Sequence, residues 1–319
     1  MTPGPRTRTL IRLGNAARAR RMEAEHGAVT RAAAELGFPA EHAEYTGEEE
    51  SFALWALPRA GLVAYVYPPE HAWQAQPLMA DAHRVGAYGL DVLLPRSDRA
   101  VAAGGRFVTF WERPRGRRVE GDASAAAYAA AALHLLPPLR PSAAGDHDPF
   151  EGMLDGLEQA PLRPGDADWI RRRAVRLADL WCGLAWPSPP TTILAGHQPA
   201  TCYRHLGTRQ LVLTRPLVRG QREWDVAAAR WRSDLVQGYQ GGYREFVAAY
   251  AQFCPAPSAG ADPADWEGYP VLREVLALGD TMREVRRTDL GGRHQREVLH
   301  RLACLRGEAG PAPWRWSAG

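Results

Sequence analysis

The sequence predicts an α+β protein with two lobes, in which a small antiparallel sheet with one helix precedes a larger, mostly helical lobe. Three observations carry this prediction. Short apolar and aromatic runs cluster in residues 51–111, a Pro- and Arg-rich connection follows at 114–118, and long Ala- and Leu-rich segments fill most of the remainder. We therefore assign an N-terminal arm, a helix and the small lobe to residues 1–114, and the helical lobe to residues 115–319.

The small lobe is expected to begin with a loose arm over residues 1–15, which have little apolar periodicity. Residues 16–36 are rich in Ala, Arg and Glu and contain no Pro, so they favour a helix. Two apolar runs flanking the turn Arg59-Ala60-Gly61 predict a hairpin. The expected elements are hairpin strands at 51–58 and 62–67, a helix at 72–87, and further strands at 90–94 and 106–111.

The large lobe is expected to be built from helices, because most of its apolar segments are too long for strands. Two short apolar runs, at 192–194 and 210–214, are read as strands instead. Asp166 and Asp289 are candidate helix N-caps, and His134 is assigned to the buried face of its helix. The expected helices are 123–136, 151–159, 167–184, 224–238, 243–251, 270–287 and 292–305.

Composition narrows the classes of partner. The 319 residues carry 39 basic and 36 acidic side chains, and a net charge of +3 is too balanced to indicate nucleic acid or a membrane surface. Every basic residue other than His is Arg, so a lysine Schiff base or phosphate clamp is excluded. Four widely spaced cysteines predict neither a zinc site nor disulfides. With no apolar stretch long enough to span a membrane, we expect a cytoplasmic bacterial protein.

Four segments resemble the aminoglycoside phosphotransferase family, a branch of the kinase-like fold. Residues 192–203 (TILAGHQPATCY) are similar to its catalytic loop, 209–215 (RQLVLTR) to its metal-binding strand, and 222–225 (REWD) to the following helix start. Residues 107–113 (FVTFWER) look like the strand that joins the lobes. The resemblance extends from about residue 36 onward and implies a protein-kinase-like two-lobe fold.

The residues that the family uses for phosphoryl transfer are replaced in this sequence. Where the resemblance implies His-Gly-Asp, the chain has Leu194-Ala195-Gly196, and Thr201 stands in place of the loop Asn. A one-residue gap would put His197 at the position of the Asp. The carboxylate that holds Mg²⁺ falls on Leu213, or on Thr214 or Arg215 if the loop is shorter. None of these three residues is a carboxylate, which is the ligand that the resemblance implies for Mg²⁺ at this position.

The nucleotide-binding residues of the small lobe are replaced as well. Tyr65 stands where the resemblance implies a Lys or Arg that pairs with the nucleotide, and Leu78 stands near the position of its Glu partner. The phosphate-loop region, residues 46–51, keeps one glycine and adds three consecutive carboxylates, which repel a triphosphate. We therefore predict a pseudokinase of actinobacterial type that uses no nucleotide cofactor and no metal.

Candidate site residues follow from the same alignment. His197, Gln198, Thr201 and Arg215 are the candidates for catalysis, because His197 could exchange a proton and the others surround the former metal site. Both the histidine and the arginines can instead be read as having no functional role: His197 as a loop histidine that hydrogen-bonds to backbone groups, and the arginines as ordinary solvated surface charges. The candidates for substrate binding are Tyr65, Trp111, Glu112, Cys202 and Arg219.

Two of these candidates have further alternatives. Tyr65 and Trp111 could either line an aromatic pocket or fill it. Cys202 could be a nucleophile beside His197, although an isolated cysteine is more often structural.

Three functional hypotheses remain open. The first is a phosphotransferase homologue that binds a peptide or small-molecule substrate in the old kinase cleft within a bacterial biosynthetic pathway, such as one for modified-peptide natural products, alone or with a partner biosynthetic enzyme. The second is an ATP-independent enzyme, for example a thioether-forming cyclase that uses acid-base chemistry. The third is an active phosphotransferase with relocated ligands.

Overall fold

The structure is a computed structural model that forms two compact units. The first unit comprises Met1–Arg118 and Thr201–Pro216, and the second comprises Val119–Ala200 and Leu217–Gly319. The residues described are 5–49, 51–114, 116–119, 122–139, 146–160, 162–195, 201–205, 208–235, 242–254, 266–286, 292–310, 314 and 316.

Within the described residues, the chain forms ten strands and eight α-helices. The strands are β1 (Glu44–Glu48), β2 (Ala53–Leu57), β3 (Leu62–Tyr67), β4 (Val101–Ala103), β5 (Arg106–Glu112), β6 (Arg117–Val119), β7 (Thr191–Ile193), β8 (Thr201–His205), β9 (Thr208–Val212) and β10 (Val218–Gly220). The helices are α1 (Pro5–Leu36), α2 (Ala75–Ala87), α3 (Ala123–His134), α4 (Pro164–Cys182), α5 (Arg222–Leu235), α6 (Tyr243–Phe253), α7 (Tyr269–Arg286) and α8 (Gly292–Arg306). A 3-10 helix, Pro69–Gln74, precedes α2.

The first unit is built on a five-stranded sheet in the order β1-β2-β3-β5-β4, with every neighbouring pair antiparallel. The predicted α+β class with a small antiparallel sheet is therefore confirmed. The hairpin predicted around residues 59–61 joins β2 to β3, with Leu57 opposite Leu62. The strand expected at 90–94 was wrong, because that segment forms only an isolated bridge between Val92 and Leu211.

The two faces of this sheet are used differently. Successive side chains of a strand point to opposite faces, so β2 sends Trp55 and Leu57 to the face that α1 covers. There they pack with Ala28, Val29 and Ala32 of α1 in one buried apolar cluster. The helix begins at Pro5, so the loose arm expected over residues 1–15 was wrong from residue 5 onward.

The β8–β9 hairpin belongs to the first unit because backbone hydrogen bonds attach it there. The Leu93 amide donates to the Leu211 carbonyl (2.8 Å), and the Leu211 amide donates to the Asp91 carbonyl (2.7 Å). The side-chain amide of Gln210 adds a bond to the Asp91 carboxylate at 3.3 Å. These contacts join residues far apart in sequence, so the small lobe includes a segment that a single boundary at residue 114 leaves out.

The second unit is mostly helical, as predicted. Its core contains large buried side chains of α5, α6 and α7, among them Trp224, Trp231, Phe246 and Leu276. Asp122 caps α3 by accepting from the Ala125 amide at 2.9 Å. The helix expected at 151–159 was wrong, because the structure has turns and a 3-10 helix, Leu157–Gln159.

Two aspartates, Asp166 and Asp289, were predicted to be helix N-caps. Asp166 lies in the first turn of α4, after the N-cap Arg163, and it accepts a hydrogen bond from Arg306. The expectation that Asp166 caps the helix was therefore wrong. Asp289 lies outside the described residues. None of the described helices is long and apolar enough to cross a membrane.

Burial raises the pKa of Tyr67, which is completely inaccessible to solvent, far above its ordinary value. Below about pH 10 both the folded and the unfolded protein keep this proton, whereas above it only the unfolded chain loses it. Stability should therefore fall as pH rises above about 10, by up to about 1.4 kcal/mol per pH unit for this group. Tyr67→Phe should make the alkaline decline of the free energy of unfolding shallower, as measured by denaturant titration. The exposed Tyr88→Phe is the control, and an equal effect of both variants would contradict the assignment to Tyr67.

Candidate functional site

A cavity of about 250 Å³ lies within the first unit, on the sheet face opposite α1. The cross-strand pairs Leu54–Tyr65 and Ala56–Val63 share this face because directly opposed residues point the same way. The remaining lining residues come from β1 and the turn between β1 and β2, from the segment after β5 and from the segment around the end of β9. The cavity is lined by Thr46, Glu49, Phe52, Leu54, Ala56, Val63, Tyr65, Arg113, Pro114, Gly116, Val212 and Thr214.

An aromatic stack forms the inner wall of the cavity. The Tyr65 ring lies parallel to Phe52, with centroids 4.3 Å apart, and it stacks on its other side with Trp111 at 4.9 Å. Trp111 is 1% exposed and donates its indole N–H to Thr109 Oγ1 at 2.7 Å. Of the two alternatives left open by the sequence, Tyr65 therefore lines the pocket, and Trp111 packs behind it.

Neither member of the expected ion pair is charged. Tyr65 lies on β3 at the position where the resemblance implies a cation, and only 2% of it is exposed. Leu78, near the position of the acidic partner, is fully buried on α2. A buried charge requires a partner. With Tyr65 and Leu78 at these two positions, neither a cation nor a carboxylate is left buried without one.

The three candidate positions for the metal ligand lie in the segment after β9 and have different environments. Leu213 is 2% exposed, Thr214 lines the cavity, and Arg215 is half-buried and does not line it. The residue that faces the cavity is thus an alcohol, which offers a weaker oxygen ligand than a carboxylate. Within the described residues, no group of three or more His, Cys, Asp or Glu side chains could hold a metal ion.

The first three residues of the expected phosphate loop, 46–48, are part of β1. β1 pairs with β2 through a bulge between Tyr45 and Gly47, and Gly47 has a φ of 153° that L residues rarely adopt. Thr46 donates its hydroxyl to the Leu54 carbonyl at 3.2 Å. The Glu49 amide donates to the Phe52 carbonyl at 2.8 Å and closes the turn. Thr46 and Glu49 therefore line the cavity from a paired backbone.

Glu112 and Arg219 do not line the cavity. Glu112 accepts from Arg96 Nη1 at 3.4 Å on the surface, and Arg219 pairs with Asp146 in the second unit. The backbones of Thr201 and Cys202 form the start of β8, opposite Val212 and Leu211. His197 and Gln198 lie outside the described residues. Nine site residues were predicted from the sequence. Among those whose side chains are described, only Tyr65 lines the cavity.

A buried carboxylate organises the end of β7 in the second unit. Asp225 Oδ2 accepts the Leu194 amide at 3.0 Å, and Oδ1 accepts the Ala195 amide at 3.2 Å. His134 Nε2 lies 3.2 Å from Oδ2, and His134 Nδ1 lies 2.7 Å from the Tyr250 hydroxyl. His134 is therefore buried as predicted, but it is part of a polar network that joins α3, α5 and α6 to β7.

Two features of this network affect local energetics. Burial raises the pKa of the Tyr250 hydroxyl far above its ordinary value, and the neighbouring Cys254 raises it further, so this group stays protonated. Ala195 has a φ of 53°, a left-handed conformation that costs a non-glycine residue about 1 kcal/mol or more. The hydrogen bonds from the Leu194 and Ala195 amides to the Asp225 carboxylate hold the backbone in this conformation.

Asp225→Asn should lower the free energy of unfolding by about 3 kcal/mol, because an amide cannot accept from both backbone amides while keeping its contact with His134. Chemical denaturation followed by circular dichroism would measure the change. Asp179→Asn, at an exposed position on α4, is the matched control and should change stability by less than about 0.5 kcal/mol. Similar values for the two variants would refute the proposed importance of the Asp225 contacts.

Comparison with known proteins identifies the fold. No protein-family model and no curated protein sequence matches the chain. Among solved structures, the amicoumacin kinase hAmiN is similar over 86% of this chain and 90% of its own, with a TM-score of 0.60 and 12% identity. A microcompartment-associated aminopropanol kinase is similar over 88% and 97%, with a TM-score of 0.59 and 16% identity.

The aminoglycoside phosphotransferase APH(4)-Ia is also similar, over 85% of this chain and 94% of its own, with a TM-score of 0.56 and 10% identity. The chain therefore has a kinase-like two-lobe fold. More particularly, it has the variant of that fold found in aminoglycoside phosphotransferases and related small-molecule kinases, as the sequence motifs predicted.

Sequence reasoning missed most of the cavity wall. Strands β2 (ALWAL) and β3 (LVAYVY) are apolar or aromatic throughout, so polarity does not distinguish their two faces; only the two-residue repeat of a strand places Leu54, Ala56, Val63 and Tyr65 together. No sequence signal places Arg113 or Val212 beside that face, because their positions depend on the path of the chain after β5 and β9. The Asp225–His134–Tyr250 network was missed for the same reason, since its members are far apart in sequence.

Proposed function

We propose that this protein uses a kinase-like fold to bind a peptide or small-molecule substrate and does not transfer phosphate. The observation that carries this proposal is the buried stack of Phe52, Tyr65 and Trp111, because the resemblance implies a nucleotide-pairing cation at the position of Tyr65. A phenol in a closed aromatic stack offers no positive charge to a triphosphate. Phosphoryl transfer depends on such charges to stabilise its transition state.

The backbone at Ala195 supports the alignment of the catalytic loop. The resemblance implies a glycine at this position, and a left-handed φ of 53° is the conformation that glycine adopts readily. With Ala195 at the glycine, the next residue, Gly196, stands where the catalytic carboxylate would be. Thr214 in the cavity wall supports the loss of the metal-binding carboxylate.

The remaining candidate residues belong to this proposal. His197, Gln198, Thr201 and Arg215 would act on the substrate, and Glu112, Cys202 and Arg219 would contact it or a partner biosynthetic enzyme in the bacterial cytoplasm. These assignments rest on the resemblance. The alternative function, ATP-independent acid-base chemistry such as thioether formation, would use His197 as the proton-transferring group.

Nucleotide binding tests the proposal directly. Mg-ATP and Mg-GTP at millimolar concentration should leave the melting temperature unchanged, whereas a ligand at about 100 times its Kd stabilises a folded protein by about 2.7 kcal/mol. Differential scanning fluorimetry and isothermal titration calorimetry would make the measurement. A nucleotide- and Mg²⁺-dependent rise in melting temperature would sink the proposal, as would transfer of labelled phosphate to any acceptor.

His197→Ala and Arg215→Ala separate binding from chemistry. Both should be assayed with the substrates and enzymes encoded by the neighbouring genes, and His83→Ala, at an exposed site on α2, is the control. We expect both variants to weaken formation of the complex with substrate or partner enzyme. Loss of product with complex formation intact would instead favour the ATP-independent enzyme.

A further inference from the structure

The polarity of the cavity restricts the kind of ligand that it accepts. Of its 12 lining residues, two carry a charge, Glu49 and Arg113, and most of the others are apolar or aromatic. Arg113 is exposed and pairs with no carboxylate among the described residues, whereas Glu49 is half-buried. With one positive and one negative side chain in its wall, the cavity has no net charge to offset the several charges of a triphosphate. A single carboxylate, however, matches the planar donor geometry of Arg113.

The shape of the cavity points to a flat ligand. On β2 and β3 the small pair Ala56–Val63 lies next to the larger pair Leu54–Tyr65, so the wall is recessed at Ala56. Phe52, which is stacked on Tyr65, adds an aromatic side chain to this wall. The volume of about 250 Å³ equals that of about eight water molecules, which is enough for a fused pair of rings with a short side chain.

We propose that this cavity binds a planar aromatic ring system that carries one carboxylate. The ring lies against Ala56 and Val63, and the carboxylate faces Arg113. This inference rests on the proposed function, because it places a phosphate-free ligand in the pocket beside Tyr65. Burial of the ring supplies most of the binding free energy, and the bidentate pair with Arg113 selects for the acid over neutral analogues.

Indole-3-acetate and indole-3-acetamide are matched probes, since they share one ring and differ in charge. Isothermal titration calorimetry should show that the acetate binds at least tenfold more tightly than the acetamide. Arg113→Gln should reduce acetate binding to the level of the acetamide. Arg59→Gln, which removes an exposed arginine in the β2–β3 turn that does not line the cavity, should leave binding unchanged.

Ala56→Phe fills the recess and should abolish binding of both probes, provided that circular dichroism shows an unchanged fold. If that variant does not fold, Ala56→Val tests the same wall with a smaller change and should weaken both probes several-fold. The proposal is overturned if neither probe binds at millimolar concentration, if the two bind equally, or if Arg113→Gln binds the acetate like the unmodified protein. These outcomes leave the proposed function standing, whereas tight binding of Mg-ATP would overturn that function as well.

Discussion

The two-residue repeat of the central strands is the constraint on which the first unit depends. One set of side chains in β2 and β3, including Trp55 and Leu57, is buried against α1 and forms the core of the unit. The alternate set, including Ala56 and Tyr65, is left on the other face and forms the wall of the cavity. Core and cavity are thus two consequences of one register, and a shift of one residue would exchange them. Because the strands are antiparallel and in register, the small pair Ala56–Val63 leaves a recess at a fixed place.

In the second unit a buried carboxylate has a comparable role. Asp225 accepts two backbone amides at the end of β7 and contacts His134, which in turn contacts Tyr250. Burying a carboxylate is costly unless its oxygens are hydrogen-bonded, and here both oxygens have partners. The network holds the backbone at Ala195 in a left-handed conformation. The backbone after β7 is fixed in this way up to Ala195, the last described residue of this segment.

The structure refines the interpretation of the sequence in specific places. The α+β class, the central hairpin and the helical character of the second unit were predictable, because each depends on local periodicity and on turn residues. The strand β4 and the attachment of the β8–β9 hairpin to the first unit were not. Strand β4 has only three residues and pairs with the neighbouring β5, so its apolar run is too short to predict a strand. The hairpin is attached by backbone hydrogen bonds between distant segments, as between Asp91 and Leu211. The long α1 was underestimated at its beginning, since its first residues lack an apolar period that would indicate a helix.

The sequence by itself determined which chemical groups this protein has. It has no lysine, it has Tyr65 and Leu78 where the resemblance implies an ion pair, and it has Leu194-Ala195-Gly196 where the resemblance implies His-Gly-Asp. Only the tertiary structure decided how those groups are used. It stacks Tyr65 between Phe52 and Trp111, and it brings Arg113 and Thr214 to the same cavity. The physical reason is that residue identity fixes charge and hydrogen-bonding capacity, whereas the proximity of distant residues is set by strand register and chain path.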